Sequence, residues 1–224
     1  MHAAAPRAVL FDVFGTLLDV YSVQAAAEAR FPSYGARIAT LWRDKQIEYT
    51  RLRTLSRRYA PFIDVTRDAL RFTLAALALP VEDRDVAALL AEYDRLRCFP
   101  EVAAVLARLR GRGLVLGVLS NGDLALLARA LGHADVLPYL THVLSADAVK
   151  QFKTADAVYA LGPAALNLPS AQTLFVSSNG WDAIGATWYG YTTLWINRSN
   201  APLEELGTKP NAVGRDLNAI DNFF

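Results

Sequence analysis

Asp12 is the first residue in this chain whose type and position suggest chemistry: it ends the apolar run of AVLFDVFGTLLDV, residues 8–20. Acids are seldom buried without a partner, so a carboxylate after such a run points to a site, although it also suits a turn. Other polar groups stand at the ends of similar runs. Ser120 and Asn121 close LVLGVLSN, Lys150 and Lys153 follow THVLSAD, and Ser177, Ser178 and Asn179 close TLFVSSN. From Ala157 to Asn197 the one charged side chain is Asp182. A carboxylate with a nearby lysine suits nucleophilic attack, and a second acid suits proton transfer to or from water. Phe14, two residues after Asp12, stands where phosphate-handling sites often keep another acid.

Plainer roles exist for each. Ser120 and Asn121 are residue types that cap helices, the two lysines suit a solvated loop, and Asp182 suits the first turn of a helix.

The elements that must position these groups alternate. Runs rich in Val, Leu, Ile and Phe (AVLFDVF, LVLGVLSN, THVLSAD, TLFVSSN, TTLWINR) read as buried parallel strands. Between them lie helical patterns such as PEVAAVLARLRGRG, with Val102, Val105, Leu106 and Leu109 on one face and Gly111 and Gly113 as stops. This alternation predicts a doubly wound α/β core with a parallel sheet. From about Asp19 to Cys98 the rhythm breaks into helical stretches without a convincing strand. The division predicted is a Rossmann-like core of 1–18 and 99–224 with an inserted helical cap of 19–98. In such a sheet ligands bind beyond the carboxyl ends of the strands, which puts all the polar groups above at one rim.

Composition narrows the partners. Lys and Arg total 23 against 22 for Asp and Glu, so no broad positive field is offered to nucleic acid or an acidic membrane. Cys98 is the single cysteine, which fits a reducing compartment. MHAAAPRAVLFD reaches a strand too early for a secretory leader, and polar residues break up every apolar run before membrane-spanning length. The expectation is a cytoplasmic protein.

Asp-Val-Phe-Gly-Thr-Leu, Leu-Ser-Asn-Gly at 119–122, Lys153, and Ser-Ser-Asn-Gly-Trp-Asp at 177–182 together resemble the haloacid dehalogenase superfamily. With Leu-Trp-Arg-Asp-Lys-Gln at 41–46, the chain is similar to the type II (S)-2-haloacid dehalogenases along nearly its whole length. The resemblance implies a homodimer that converts a small 2-haloacid to a 2-hydroxy acid and halide without metal or cofactor. Asp12 would be the nucleophile, with Thr16 and Ser177 hydrogen-bonded to it and Lys153 keeping it ionised. Arg43 and Asn121 would receive the halide, and Ser120 would hold the substrate carboxylate. Asp182 would activate water, while Tyr159, Asn179 and Trp181 would support the pocket. Phe14, Ile47 and Phe62 would form its apolar lining.

Phe14 then has a chemical meaning. A phosphatase needs an acid there to protonate an alkoxide, and other acids to hold magnesium; a halide leaves without a proton. The helical spacing of LWRDKQIEYTRLRTL also permits Arg43 to face solvent while Leu41, Tyr49 and Leu52 pack, with Trp42 in the core. Three positions depart from the family. Thr154 follows Lys153 where proline is usual, Phe14 replaces a common tyrosine, and Asp44 follows Arg43 where a neutral amide is frequent. A magnesium-dependent phosphatase and a non-catalytic carboxylate-binding homologue are the competing readings, the latter if Thr154 and Asp44 displace the cations.

Overall fold

The computed structural model describes residues 5–224; the first four residues, part of the stretch read above as too short for a leader, lie outside it. In chain order the strands are β1 (Ala8–Phe11), β2 (Leu18–Asp19), β3 (Arg97–Cys98), β4 (Val115–Ser120), β5 (His142–Ser145), β6 (Thr173–Ser177), β7 (Thr192–Ile196) and β8 (Ala212–Gly214). The α-helices are α1 (Gln24–Arg30), α2 (Gly35–Leu55), α3 (Phe62–Ala76), α4 (Asp83–Ala91), α5 (Val102–Gly111), α6 (Leu124–His133), α7 (Asp156–Tyr159), α8 (Leu161–Leu166) and α9 (Gly180–Tyr189).

Six strands form one parallel sheet in the order β5-β4-β1-β6-β7-β8. Every residue of β1 and β6 is buried, as expected of central strands covered on both faces. Chain order reverses between β1 and β6, so Asp12 and Ser177 follow and end the two strands that border the crevice. The five long apolar runs are strands. The sixth, β8, escapes pattern reading because it has three residues and leaves Val213 exposed.

Between β2 and β3 the chain is largely helical. These two-residue strands pair antiparallel, Leu18 with Cys98 and Asp19 with Arg97, so both ends of the helical segment leave the sheet side by side. They were missed because two residues carry no periodicity. Helix α2 explains how this segment reaches the rim. Its buried stripe begins apolar with Ile38, Ala39 and Trp42 and becomes polar with Arg43, Gln46 and Thr50. Trp42 packs in the core, its indole N–H donating to Thr66 O at 2.8 Å. The apolar half packs within the helical segment and the polar half lies over the strand ends.

Asp123 ties the layers together. One carboxylate oxygen caps α6 by accepting from Leu126 N at 3.0 Å, and the other accepts from Ile63 N, at the start of α3, at 3.2 Å.

Candidate active site

After β1 the chain turns sharply so that Thr16 folds back beneath Asp12. Gly15 has φ of 94°, a conformation that costs a side-chain-bearing residue, and its N–H donates to Leu18 O at 2.7 Å. Asp12, almost fully buried, accepts three hydrogen bonds. Thr16 Oγ1 and Asn179 Nδ2 reach Oδ2, each at 2.9 Å, and Lys153 Nζ reaches Oδ1 at 3.0 Å. Thr16 is held in turn by Ser178 N, which donates to its hydroxyl at 2.8 Å.

Lys153 bridges two carboxylates. Its ammonium also donates to Asp182 Oδ2 at 2.9 Å and sits 4.9 Å from the centre of the Phe175 ring. Burial alone would lower the lysine pKa; attraction and hydrogen bonds to Asp12 and Asp182 outweigh it, and the net direction is upward. Asp182 lies in the first turn of α9, fully buried. Burial pushes its pKa up, assisted by the charge of Asp12 and opposed by Lys153 and Tyr159. Tyr159 donates to Asp182 Oδ1 at 2.7 Å; burial first, then the Asp182 charge, holds its own pKa well above the ordinary tyrosine value, so it remains a donor. Gly185 makes that approach possible, since a Cβ there would lie 2.5 Å from the Tyr159 hydroxyl.

A small pocket opens beside Asp12, lined by Phe14, Phe62, Ile47 and Trp181 and by the polar Arg43, Gln46, Thr50, Asn121 and Asn179. Phe14 and Phe62 stack with ring centres 5.3 Å apart, and Arg51 lies over the Trp181 ring at 5.0 Å. About 10 Å³ is free inside, the threshold for holding one water molecule. Arg43 is buried rather than solvated. It donates to Gln46 Oε1 at 2.7 Å, Phe14 O at 3.1 Å and Asn179 Oδ1 at 3.2 Å. A guanidinium has five N–H groups, so two are uncommitted among the described residues. Asn121 Oδ1 accepts from Lys153 N at 2.9 Å, leaving its NH₂ available at the pocket wall.

Several sequence expectations are corrected. Ser177 does not bond Asp12; its hydroxyl accepts from Asn179 N at 3.1 Å. Ser120, fully buried and outside the pocket lining, likewise accepts from Gly122 N at 3.1 Å. Both hydroxyls accept from the local backbone, a habit of short hydroxyl side chains, and the Ser120 hydroxyl keeps its proton to donate. Lys150 is exposed and pairs with Asp147 at 2.7 Å, away from the pocket. Leu52 faces solvent, so the apolar face read in LWRDKQIEYTRLRTL is turned from the true one. Gln46 and Thr50 were missed, yet with Arg43 and Ile47 they complete an i, i+3, i+4, i+7 face, the signal that would have found them. The Lys153–Thr154 peptide is cis, and Asp44 is exposed and makes no ion pair with Arg43 among the described residues. Neither position has displaced its cation, so the condition for a non-catalytic homologue is not met.

A magnesium ion does not suit this donor set. Phe14 and Asn179 offer no anionic oxygen, and the gap between Asp12 and Asp182 is filled by the Lys153 ammonium. Among the described residues, no cluster of three His, Cys, Asp or Glu side chains is placed to hold a metal.

Residues 6–190 match the model of the haloacid dehalogenase-like hydrolases, and the chain belongs to that family. Within it, the chain is 42% identical to the (S)-2-haloacid dehalogenase of Pseudomonas sp. (strain YL), over 97% of this chain and 94% of that one. Among solved structures, the L-2-haloacid dehalogenase RSc1362 superposes with a TM-score of 0.96 at 51% identity, covering 98% of this chain and 99% of that one. The L-2-haloacid dehalogenase of Xanthobacter autotrophicus with chloropropionic acid covalently bound superposes at 0.91 with 34% identity, covering 97% of both chains.

Proposed function

We propose that this protein hydrolyses short (S)-2-haloalkanoic acids to (R)-2-hydroxyalkanoic acids and halide through an ester on Asp12. The observation that carries this reading is a buried carboxylate held by Lys153, Thr16 and Asn179 beside an apolar pocket that also presents Arg43. A carboxylate has about four lone-pair directions. Oδ2 receives two donors and Oδ1 one, which makes Oδ1 the oxygen best free to attack carbon. Attack on C2 from the side opposite the halogen forms the C–O bond, breaks the carbon–halogen bond and inverts the centre. The halide takes the bonding pair and is stabilised by the free N–H groups of Arg43 and by Asn121. Apolar walls strip water from the nucleophile, which strengthens these fixed interactions.

Water then adds to the Asp12 carbonyl carbon while Asp182 accepts its proton. Collapse expels the alkoxide, which takes the proton held by Asp182 and leaves as the hydroxy acid, and loss of the remaining hydroxyl proton to solvent regenerates the Asp12 carboxylate. The upward pKa of Asp182 makes it a stronger base than an ordinary carboxylate once ionised. Ionisation of Asp182 then sets the acid limb of the rate profile, which should lie above the ordinary carboxylate range. Tyr159→Phe removes a donor that lowers this pKa, so the limb should move to higher pH. An unchanged limb in the pH dependence of kcat would count against Asp182 as the base.

Residues 19–98 serve as a cap over a core of 1–18 and 99–224, and no metal or cofactor takes part. Leu52, Leu55 and Phe72 expose apolar surface on α2 and α3, consistent with a homodimer; a sedimentation mass near that of one chain would contradict it. No helix among the described residues is long and apolar enough to cross a membrane. A cytoplasmic setting is our reading from the single cysteine, Cys98, which fits a reducing compartment.

The test is chloride release from (S)-2-chloropropionate in excess chelator. Full activity with an (R)-lactate product is expected. Phosphate release from phosphomonoesters that requires magnesium, with no chloride release, would replace this reading with a phosphatase.

A further inference from the structure

Gln46 lies fully buried on the pocket wall, and no role above requires it. Its contacts form a chain with a fixed direction. Thr66 Oγ1 has one proton, which it donates to Phe62 O at 2.7 Å, one turn earlier in α3. Toward Gln46 the threonine oxygen therefore acts as acceptor, receiving Nε2 at 2.7 Å. The amide is thereby held from flipping, and its Oε1 faces Arg43 Nη1 at 2.7 Å. The reversed amide would aim two donors at a cation. Tyr93, wholly buried, adjoins the same pair; burial raises its pKa to about 12 against the opposing influence of Arg43 and Gln46, so it too remains neutral.

We propose that Gln46, oriented by Thr66, is the positioning residue that aims the Arg43 guanidinium at the departing halide. The inference rests on the dehalogenase reading and deepens it. Helix α3 enters twice, since the carbonyl anchoring the chain belongs to Phe62, a wall of the pocket. A shift of α3 alters the pocket wall and the orientation of the halide-binding cation together. Charge on the leaving atom grows in the transition state, so a loosely aimed Arg43 harms a poor leaving group more than a good one.

The test compares single-turnover rates for (S)-2-chloropropionate and (S)-2-bromopropionate, together with inhibition by bromide ion, in Gln46→Leu, Thr66→Val and Thr66→Ser. In Gln46→Leu the chloro substrate should slow about tenfold or more and the bromo substrate only a few-fold, with bromide inhibition weakened about tenfold. Thr66→Val, nearly isosteric, should show the same pattern at smaller size, and Thr66→Ser, which keeps the hydroxyl, should match the wild type. Equal slowing of both substrates with unchanged bromide inhibition would reduce Gln46 to a packing role and overturn the inference, as would no change in any rate. Failure of the wild type to release either halide would instead defeat the dehalogenase reading itself.

Discussion

Asp12→Asn abolishes halide release, with a loss on the order of 10⁴-fold or more in kcat, because the amide offers no anionic oxygen to displace a halide. The substitution is nearly isosteric, and Thr16 keeps an oxygen acceptor. Lys153 retains Asp182 as an ionic partner, so the fold should survive and the loss can be read as chemistry. An isotope experiment on the wild type makes the same claim without mutation. With enzyme in excess over substrate in ¹⁸O-water, one turnover should place label in the Asp12 carboxylate, found by mass spectrometry of its peptide, and leave the first hydroxy acid unlabelled. Label in that first hydroxyl would mean that water displaced the halide directly and that Asp12 was never esterified. Undiminished chloride release by the Asp12→Asn protein would have the same force.

Replacing Lys153 with methionine should damage both activity and stability. The ammonium is the shared partner of two buried carboxylates at 3.0 and 2.9 Å, and methionine fills much of its volume without its charge. Breaking a buried ion pair from one side costs about 3–5 kcal/mol, because the remaining charges lose compensation. Turnover should fall on the order of a thousandfold as the acids lose their fixed donor. The pH dependence has a definite sign. Burial already raises the Asp182 pKa, and losing Lys153 raises it further. An acid whose folded pKa exceeds its unfolded value contributes stability that is present below the unfolded pKa and lost as pH rises through the folded one. The variant's urea midpoint should therefore fall as pH is raised from the carboxylate range toward neutrality. In the wild type the lysine pKa is raised, so its stabilisation is complete below the unfolded lysine value and is lost only at strongly alkaline pH. The gap between the two proteins should be smallest in acid and widest near neutral pH. A parallel pair of stability profiles would show that Lys153 does not set the ionisation of this cluster.

Asp12 was legible before any coordinates, and the reason is topological; Lys153 was separated from Lys150 only by resemblance. A parallel sheet buries its strands completely, so a polar residue that ends an apolar run is conspicuous, and strand order brings such residues to one rim. Asp12, Asn121 and Asn179 stand out in this way, and Asp182 by being the one charged side chain from Ala157 to Asn197. Arg43 is harder, since an arginine in a charged amphipathic helix ordinarily faces water; resemblance, rather than pattern, singled it out. Ser177 carries a different lesson: its placement suggested a bond to Asp12, but its hydroxyl accepts from an amide two residues on; the Ser120 hydroxyl accepts one bond in the same way and keeps its proton to donate. Gln46 and Thr50 were hidden because a polar stripe on a helix looks like a solvent face until something polar is packed against it. Short-range pattern likewise cannot reveal β2 and β3, whose pairing joins residues far apart in the chain.

A chamber with room for a single water has a consequence for timing. A three-carbon acid bearing a halogen is several times bulkier, so it cannot pass into the form described here. Lining side chains must therefore give way as substrate enters and return once product leaves, and turnover cannot outpace that exchange.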